Sequence, residues 1–334
     1  MTYLITGASG FLGGRIAQLL AARGEDVRIL ARPSAKLDHL DGLGIHVVPG
    51  DLTDAASLRE AARGVSHIIH SAACSTDWAP WNAYYAANVT GTQNLLEAAL
   101  ATPTLERFVH ISTTDVYGYP AVPCHETAPT RDAGLPYNQT KRLGEMAVWQ
   151  AHREHGLPVA ILRPATIYGP RGKDFTVEIA TLLRQRLMAT IRRGEATGGF
   201  TYVDNVAEAA IAAAMHPAAV GEAFNIADGT HATWSGYLRL FAEALGTPRP
   251  WLDLSQPTAE SLARVMEAIH RTLHLPGRPL LTRHAVRLLA LDQEFPADKA
   301  RQVLGFTPAI SLEEGIGRSA AWLHDHTQPA RKKS

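Results

Sequence analysis

Cysteine is scarce in this chain of 334 residues, which has two, Cys74 and Cys124. They show no paired spacing, so a disulfide framework or a zinc ribbon has nothing to build on, and ordinary thiols in a reducing, cytoplasmic compartment are expected. Charge of one sign is lacking too. The 32 Lys and Arg balance 32 Asp and Glu, which leaves no long-range field to draw in nucleic acid or an anionic membrane. A small-molecule partner is expected instead. No run approaches the roughly 18 apolar residues of a membrane span, and a strand pattern that begins at Thr2 leaves no room for a signal peptide. Of the 15 histidines, His152 and His155 lie three apart on a predicted helix. They have no further ligands at metal spacing, so no metal site is expected.

What is present is ample apolar material. With 46% hydrophobic and 19% charged residues, the chain can bury a sizeable core in two domains, or in one large α/β unit with an added lobe. Short β-prone runs stand at 2–6, 27–30, 45–48, 67–70, 108–111 and 159–162. Helical spacing separates them over 11–23, 54–63, 86–101 and 136–155, and 223–226 supplies one more strand. Strands alternating with helices predict an α/β fold with a doubly wound parallel sheet of about seven strands. After Arg163-Pro164 the rhythm changes. A helix is predicted over 174–193, an Ala-rich one over 204–215, and mostly helices from Trp234 on, with Pro-containing breaks near 248–257, 276–279 and 296. The expected division is a sheet domain of 1–164 plus 203–227, a smaller, mainly helical C-terminal substrate lobe of 165–202 plus 228–330, and a solvated basic tail, 331–334.

Between the first predicted strand and helix, Gly7, Gly10 and Gly13 frame the loop Thr6-Gly7-Ala8-Ser9-Gly10-Phe11-Leu12-Gly13. Glycines there allow a sharp turn and let a pyrophosphate reach the backbone amides at the helix N-terminus, so Gly7, Ser9, Gly10, Phe11, Leu12 and Gly13 form a candidate dinucleotide cradle. About 20 residues on, where an enzyme selecting NAD often carries a carboxylate, this chain has Ala31-Arg32, with Ser34 and Lys36 nearby. That favours a 2′-phosphate and hence NADP(H), with NAD(H) as the alternative and a solvated Arg32 as the plainer account. Asp51 and Leu52 would bracket the adenine, and Ala72 and Ala73 would let the cofactor pass close to the backbone.

Tyr137 and Lys141 stand four apart on a predicted helix, which puts a phenol and an ammonium on one face. A fixed positive charge stabilises the phenolate, bringing proton exchange by Tyr137 toward neutral pH. The fifth strand ends in Ser112-Thr113-Thr114-Asp115-Val116-Tyr117, hydroxyls at the carboxyl edge of the sheet where α/β proteins bind ligands. Strand-end capping accounts for some of them. A pocket is expected to be closed by the segment holding Thr76 and Trp78, by Thr114 and Tyr117, and by Thr166 to Arg171. Trp81 suits an apolar wall or core packing equally. Arg171, with Arg184, Arg186, Arg192 and Arg193, leaves an anionic substrate group open, although solvated helix faces explain most of these charges.

Taken together, the glycine loop, Thr113, Tyr137 and Lys141 resemble the extended short-chain dehydrogenase/reductase family. Asn88-Val89-Thr90-Gly91-Thr92, Arg163-Pro164, Tyr168-Gly169-Pro170 and Phe200-Thr201-Tyr202-Val203-Asp204-Asn205-Val206 extend the likeness over nearly the whole chain. The resemblance implies a Rossmann-like fold with Tyr137 as acid/base, Lys141 tuning it and Thr113 binding the reacting oxygen. It further implies that Asn88 positions a water or the lysine-bearing helix, and that Pro164 is among the cofactor contacts. It also assigns helices 86–101 and 137–155 to a homodimer interface, a pattern that burial within one copy explains as well.

Departures narrow the branch. Sugar dehydratases of this type carry an acidic pair after the threonine, where this chain has Thr114-Asp115, and many sugar-nucleotide enzymes place Arg-Asp where this chain has Gly198-Gly199. The Phe200 segment and Leu304-Gly305-Phe306-Thr307-Pro308 look like the 3β-hydroxysteroid dehydrogenase and ketoreductase branch. The expected function is NADPH-favouring interconversion of a ketone and a secondary alcohol on a mainly apolar substrate. A sugar-nucleotide epimerase with tightly held NAD, and a non-catalytic NADP(H) sensor, are the alternatives.

Overall fold

The computed structural model describes residues 1–120 and 123–327, so the basic tail 331–334 lies outside the described residues. The chain divides into two units. The first comprises Met1–Ala165, Asp204–Ala227 and Phe295–Thr307; the second comprises Thr166–Val203, Asp228–Glu294 and the described residues 308–327. No helix among the described residues is long and apolar enough to cross a membrane.

The first unit is built on seven parallel strands: β1 (Thr2–Thr6), β2 (Asp26–Ala31), β3 (His46–Pro49), β4 (His67–His70), β5 (Arg107–Ile111), β6 (Val159–Pro164) and β7 (Glu222–Ile226). Their order is β7-β6-β5-β4-β1-β2-β3. β4, β5 and β6 are buried at every residue, as befits strands covered on both faces, so they read as continuous apolar-rich runs rather than alternating ones. The chain leaves β1 in one direction through β2 and β3 and returns to the other side at β4. This reversal makes the carboxyl ends of β1 and β4 the crevice where such sheets bind ligands.

Helices cover the sheet: α1 (Phe11–Ala22), α2 (Ala55–Ala62), α3 (Trp81–Tyr85), α4 (Gly91–Leu100), α5 (Pro136–His155), α6 (Val203–Met215) and α7 (Asp298–Leu304). Leu58, Leu95, Leu96 and Val148 from α2, α4 and α5 pack on Ile68, Phe108 and Ile161 of the sheet. At roughly 1.5–3 kcal/mol for each large side chain, this layer holds α5 in place. The helix expected from 86 begins at Trp81, because α3 runs through a π-helical turn, Ala86–Thr90, into α4. The segment 295–307, expected in the C-terminal lobe, belongs to the first unit. Phe295 stacks on Tyr117 with ring centres 5.6 Å apart, and Lys299 pairs with Glu222 of β7.

The second unit has its own aromatic core, in which Phe200 stacks on Tyr237 at 4.1 Å and meets Trp234 edge-on at 4.9 Å. The helix predicted over 174–193 is corrected here. A π-helical turn, Lys173–Glu178, leads to a helix that stops at Arg184, and Ala189–Ile191 is a strand paired in parallel with Leu252–Leu254. That pairing partner lies some 60 residues away, where local spacing gives no sign of it. The predicted break at 248–257 also ends earlier, because a helix starts at Gln256 with Ser255 as its cap. Pro257 then sits in the first turn, where its missing N–H costs nothing.

Candidate active site

The glycine loop lies at the switch point. Gly7 has a left-handed φ of 78°, and a Cβ there would stand 2.7 Å from the Ala72 nitrogen, while one on Gly13 would stand 2.5 Å from the Gly7 oxygen. Only glycine allows the loop to close against the segment after β4. Ser9 and Gly10 are exposed, Phe11 is half-buried and Leu12 is buried. Gly10 caps α1 without a side-chain bond, so the first-turn amides of α1 open at the positive end of the helix dipole, which suits a pyrophosphate.

Around this loop the other candidate cofactor residues take their places. Ala31 is buried at the end of β2, with Arg32, Ser34 and Lys36 exposed beyond it. The Asp51 carboxyl is held low, first by the Thr53 N–H and hydroxyl and further by the Arg32 charge. Leu52 is half-buried, with its carbonyl held by the Asn94 amide at 2.9 Å. Ala72 and Ala73 are half-buried, and Pro164 is buried at the end of β6. His39 has no pattern to announce it, yet its Nε2 lies 3.0 Å from the Ala8 carbonyl and steadies the loop.

On α5, Tyr137 is half-buried in the first turn and Lys141 one turn on is 4% exposed. Lys141 Nζ donates to the Ile111 carbonyl at 2.6 Å, which fixes the ammonium under the end of β5. Burial pulls its pKa from 10.5 down to about 8, with Glu145 opposing. Since the folded value is the lower one, unfolding takes up a proton between the two. The stabilising contribution is fully present above 10.5 and lost as pH falls through about 8. In urea unfolding, the stability of the wild type relative to Lys141→Met is expected to rise from pH 8 toward 10.5; a flat difference would contradict this account.

Thr113 caps the turn Thr114–Tyr117, its Oγ1 accepting from the Asp115 N–H at 3.2 Å, which is compatible with its own hydrogen being donated elsewhere. Asn88 ties α5 to the segment after β4. Its Nδ2 donates to the Cys74 carbonyl at 3.2 Å and to Thr140 Oγ1 at 3.1 Å, while its Oδ1 accepts from Cys74 N at 2.8 Å. Both amide hydrogens are thus engaged.

The expected pocket residues fare differently. Tyr117 is completely buried, and its hydroxyl donates to Asn225 Oδ1 at 2.7 Å and accepts from Arg163 at 2.8 Å, so it belongs to the scaffold and not to a substrate wall. Thr114 is also buried, at 3% exposure. Thr76 and Trp78 are half-buried, the Trp78 N–H bonding the Thr76 hydroxyl at 3.3 Å. Trp81 is 44% exposed on α3 beside Tyr85, which removes it from the core. Thr166 and Arg171 lie in the second unit; Thr166 is buried in a strand, and Arg171 is half-buried with a left-handed φ of 71°.

Behind the site runs a buried polar network. Glu145 pairs with Arg163 at 2% and 5% side-chain exposure, and also accepts from Ser112 Oγ at 2.6 Å and Trp149 Nε1 at 3.3 Å. It joins the end of β5, α5 and β6. Sequence spacing gave no sign of the Glu145–Arg163 pair, whose members are brought together only by the sheet.

Residues 3–227 match the model of the NAD dependent epimerase/dehydratase family. The chain is 31% identical over 330 residues to the 2-alkyl-3-oxoalkanoate reductase of Stenotrophomonas maltophilia, covering 96% of this chain and 99% of that one. The chain belongs to the NAD dependent epimerase/dehydratase family. Within it, the chain is 30% identical to the 3 beta-hydroxysteroid dehydrogenase/Delta 5-->4-isomerase of Mycobacterium tuberculosis, over 94% of this chain and 88% of the relative. A crystal structure of gox2253 superposes with a TM-score of 0.81 at 29% identity, covering 98% of each chain. The UDP-glucuronic acid 4-epimerase of Bacillus cereus in complex with NAD shares the fold, with a TM-score of 0.77 at 24% identity over 97% of each chain. Membership of this family, with reductases and dehydrogenases among the similar chains, makes the protein an NAD(P)-dependent dehydrogenase/reductase of the extended short-chain type.

Proposed function

We propose that this family member is an NADPH-dependent ketoreductase that interconverts a ketone and a secondary alcohol on a mainly apolar substrate in the cytoplasm. The observation that carries the reading is the pairing on α5 of Tyr137 with a buried Lys141 whose ammonium is anchored to the Ile111 carbonyl. The names of similar proteins, a 2-alkyl-3-oxoalkanoate reductase and a 3 beta-hydroxysteroid dehydrogenase, support an oxo group on an apolar skeleton.

The start of α1, which no side chain caps, and the glycine cradle suit a dinucleotide pyrophosphate, and the exposed Arg32 and Ser34 suit a 2′-phosphate. When bound, the reduced nicotinamide supplies hydride to the carbonyl carbon. Tyr137 Oη gives its proton to the carbonyl oxygen, and Thr113 Oγ1 donates a hydrogen bond to that oxygen. The charge of Lys141 stabilises the phenolate left on Tyr137. Asn88 holds the helix that carries both.

Arg32→Ala tests the cofactor choice. Loss of a charge-assisted bond to the 2′-phosphate is expected to raise KM for NADPH about tenfold or more while leaving KM for NADH unchanged. Equal effects on both would remove Arg32 from cofactor selection. Mass spectrometry of nucleotide released on denaturation separates the epimerase alternative, for which near-stoichiometric retained NAD is the signature.

A further inference from the structure

β4 ends in His70, which is fully buried beside the helix layer. Its Nδ1 lies 2.7 Å from Thr6 Oγ1 at the end of β1, and its Nε2 lies 3.0 Å from Thr92 Oγ1 on α4. One set of bond directions gives every group in this cluster a partner. With the single hydroxyl hydrogen of Thr92 on the Asn88 carbonyl at 2.9 Å, an acceptor only, Thr92 Oγ1 accepts from His70 and Nε2 carries the proton. A neutral ring then leaves Nδ1 bare, to accept from the Thr6 hydroxyl, whose oxygen in turn accepts the Ala72 N–H at 3.4 Å. Burial keeps the ring neutral, its pKa pulled down to about 3, with the Lys141 charge acting in the same direction.

Every donor in this chain points the same way, from Ala72 to Asn88. At one end, Ala72 is the residue against which Gly7 closes. At the other, α5 rests on the Asn88 carbonyl so closely that a Cβ on Gly144 would stand 2.3 Å from that oxygen. Thr140, which accepts from the Asn88 side chain, directly precedes Lys141. We propose that His70, locked as the Nε2–H tautomer, is a positioning residue that sets the helix bearing Tyr137 and Lys141 in register with the cofactor loop. The proposal rests on the functional reading above, since it gives those two residues the chemistry.

Two-bond 1H–15N spectra of the histidine-labelled protein read the tautomer without any substitution. The His70 ring is expected to be protonated at Nε2 alone and unchanged between about pH 5.5 and 8.5, with Lys141 and His110 as the titratable groups beside it. Thr92→Val then removes the hydroxyl at nearly constant shape, and Thr92→Ser restores it. With NADPH and a 2-alkyl-3-oxoalkanoate, T92V is expected to lower kcat about tenfold with KM for NADPH within about twofold, and T92S to recover the rate. A purely stabilising role would lower the melting temperature without that split. A proton on Nδ1, a ring that titrates in this range, or a folded T92V with the wild-type kcat overturns the proposal. Tyr137→Phe is the control: if it is inactive while T92V matches the wild type, only the positioning role fails, and if it turns over normally the functional reading fails first.

Discussion

Tyr137→Phe is expected to lower kcat by about two to four orders of magnitude, the range lost when a positioned general acid is removed, while Kd for NADPH stays within about threefold. The phenyl ring fills nearly the same space at a half-buried site in the first turn of α5, so folding should be little affected. The Oη hydroxyl is what the substitution removes. Steady-state turnover with NADPH, together with cofactor binding by fluorescence titration, separates chemistry from binding. This outcome also decides between the enzyme and a cofactor sensor. A sensor has no use for the hydroxyl, and equal turnover by the two proteins would remove Tyr137 from the mechanism.

The second large effect concerns stability. Arg163→Met is expected to cost about 3–5 kcal/mol in urea unfolding, because it strands a buried carboxylate that had a guanidinium partner. Glu145 would keep Ser112 and Trp149 as donors, but two neutral bonds do not replace a charge at 2% exposure. Tyr117 would lose its cationic neighbour as well, its ring lying 4.9 Å from the Arg163 guanidinium carbon. The double variant with Glu145→Met is expected to regain much of the loss, since removing both charges also removes their desolvation cost. A single variant as stable as the wild type would show that water reaches the pair.

The sequence by itself determined the elements and the chemistry that depends on neighbours in the chain. The strand at 67–70 and the helix at 136–155 appear where local pattern put them, because apolar runs and 3.6-residue spacing are short-range properties. The glycine loop was legible for the same reason: turn, cap and helix start follow one another within eight residues. The family likeness rested on such local strings.

Tertiary structure alone decided which groups meet. Tyr117 looked like a substrate contact because it follows the hydroxyl cluster, yet sheet packing buries it against Arg163, Asn225 and Phe295. The strand Ala189–Ile191 exists because Leu252–Leu254 lies beside it, and that pairing overrides local helical spacing. The chain from Thr6 through His70 and Thr92 to Asn88 joins β1, β4, α4 and the turn before it. Its members are up to 86 residues apart, and a hydrogen bond between them is set by the crossing of strands and helices. Local sequence fixes which atoms each residue offers, whereas burial and the three-dimensional arrangement fix which of them must find a partner.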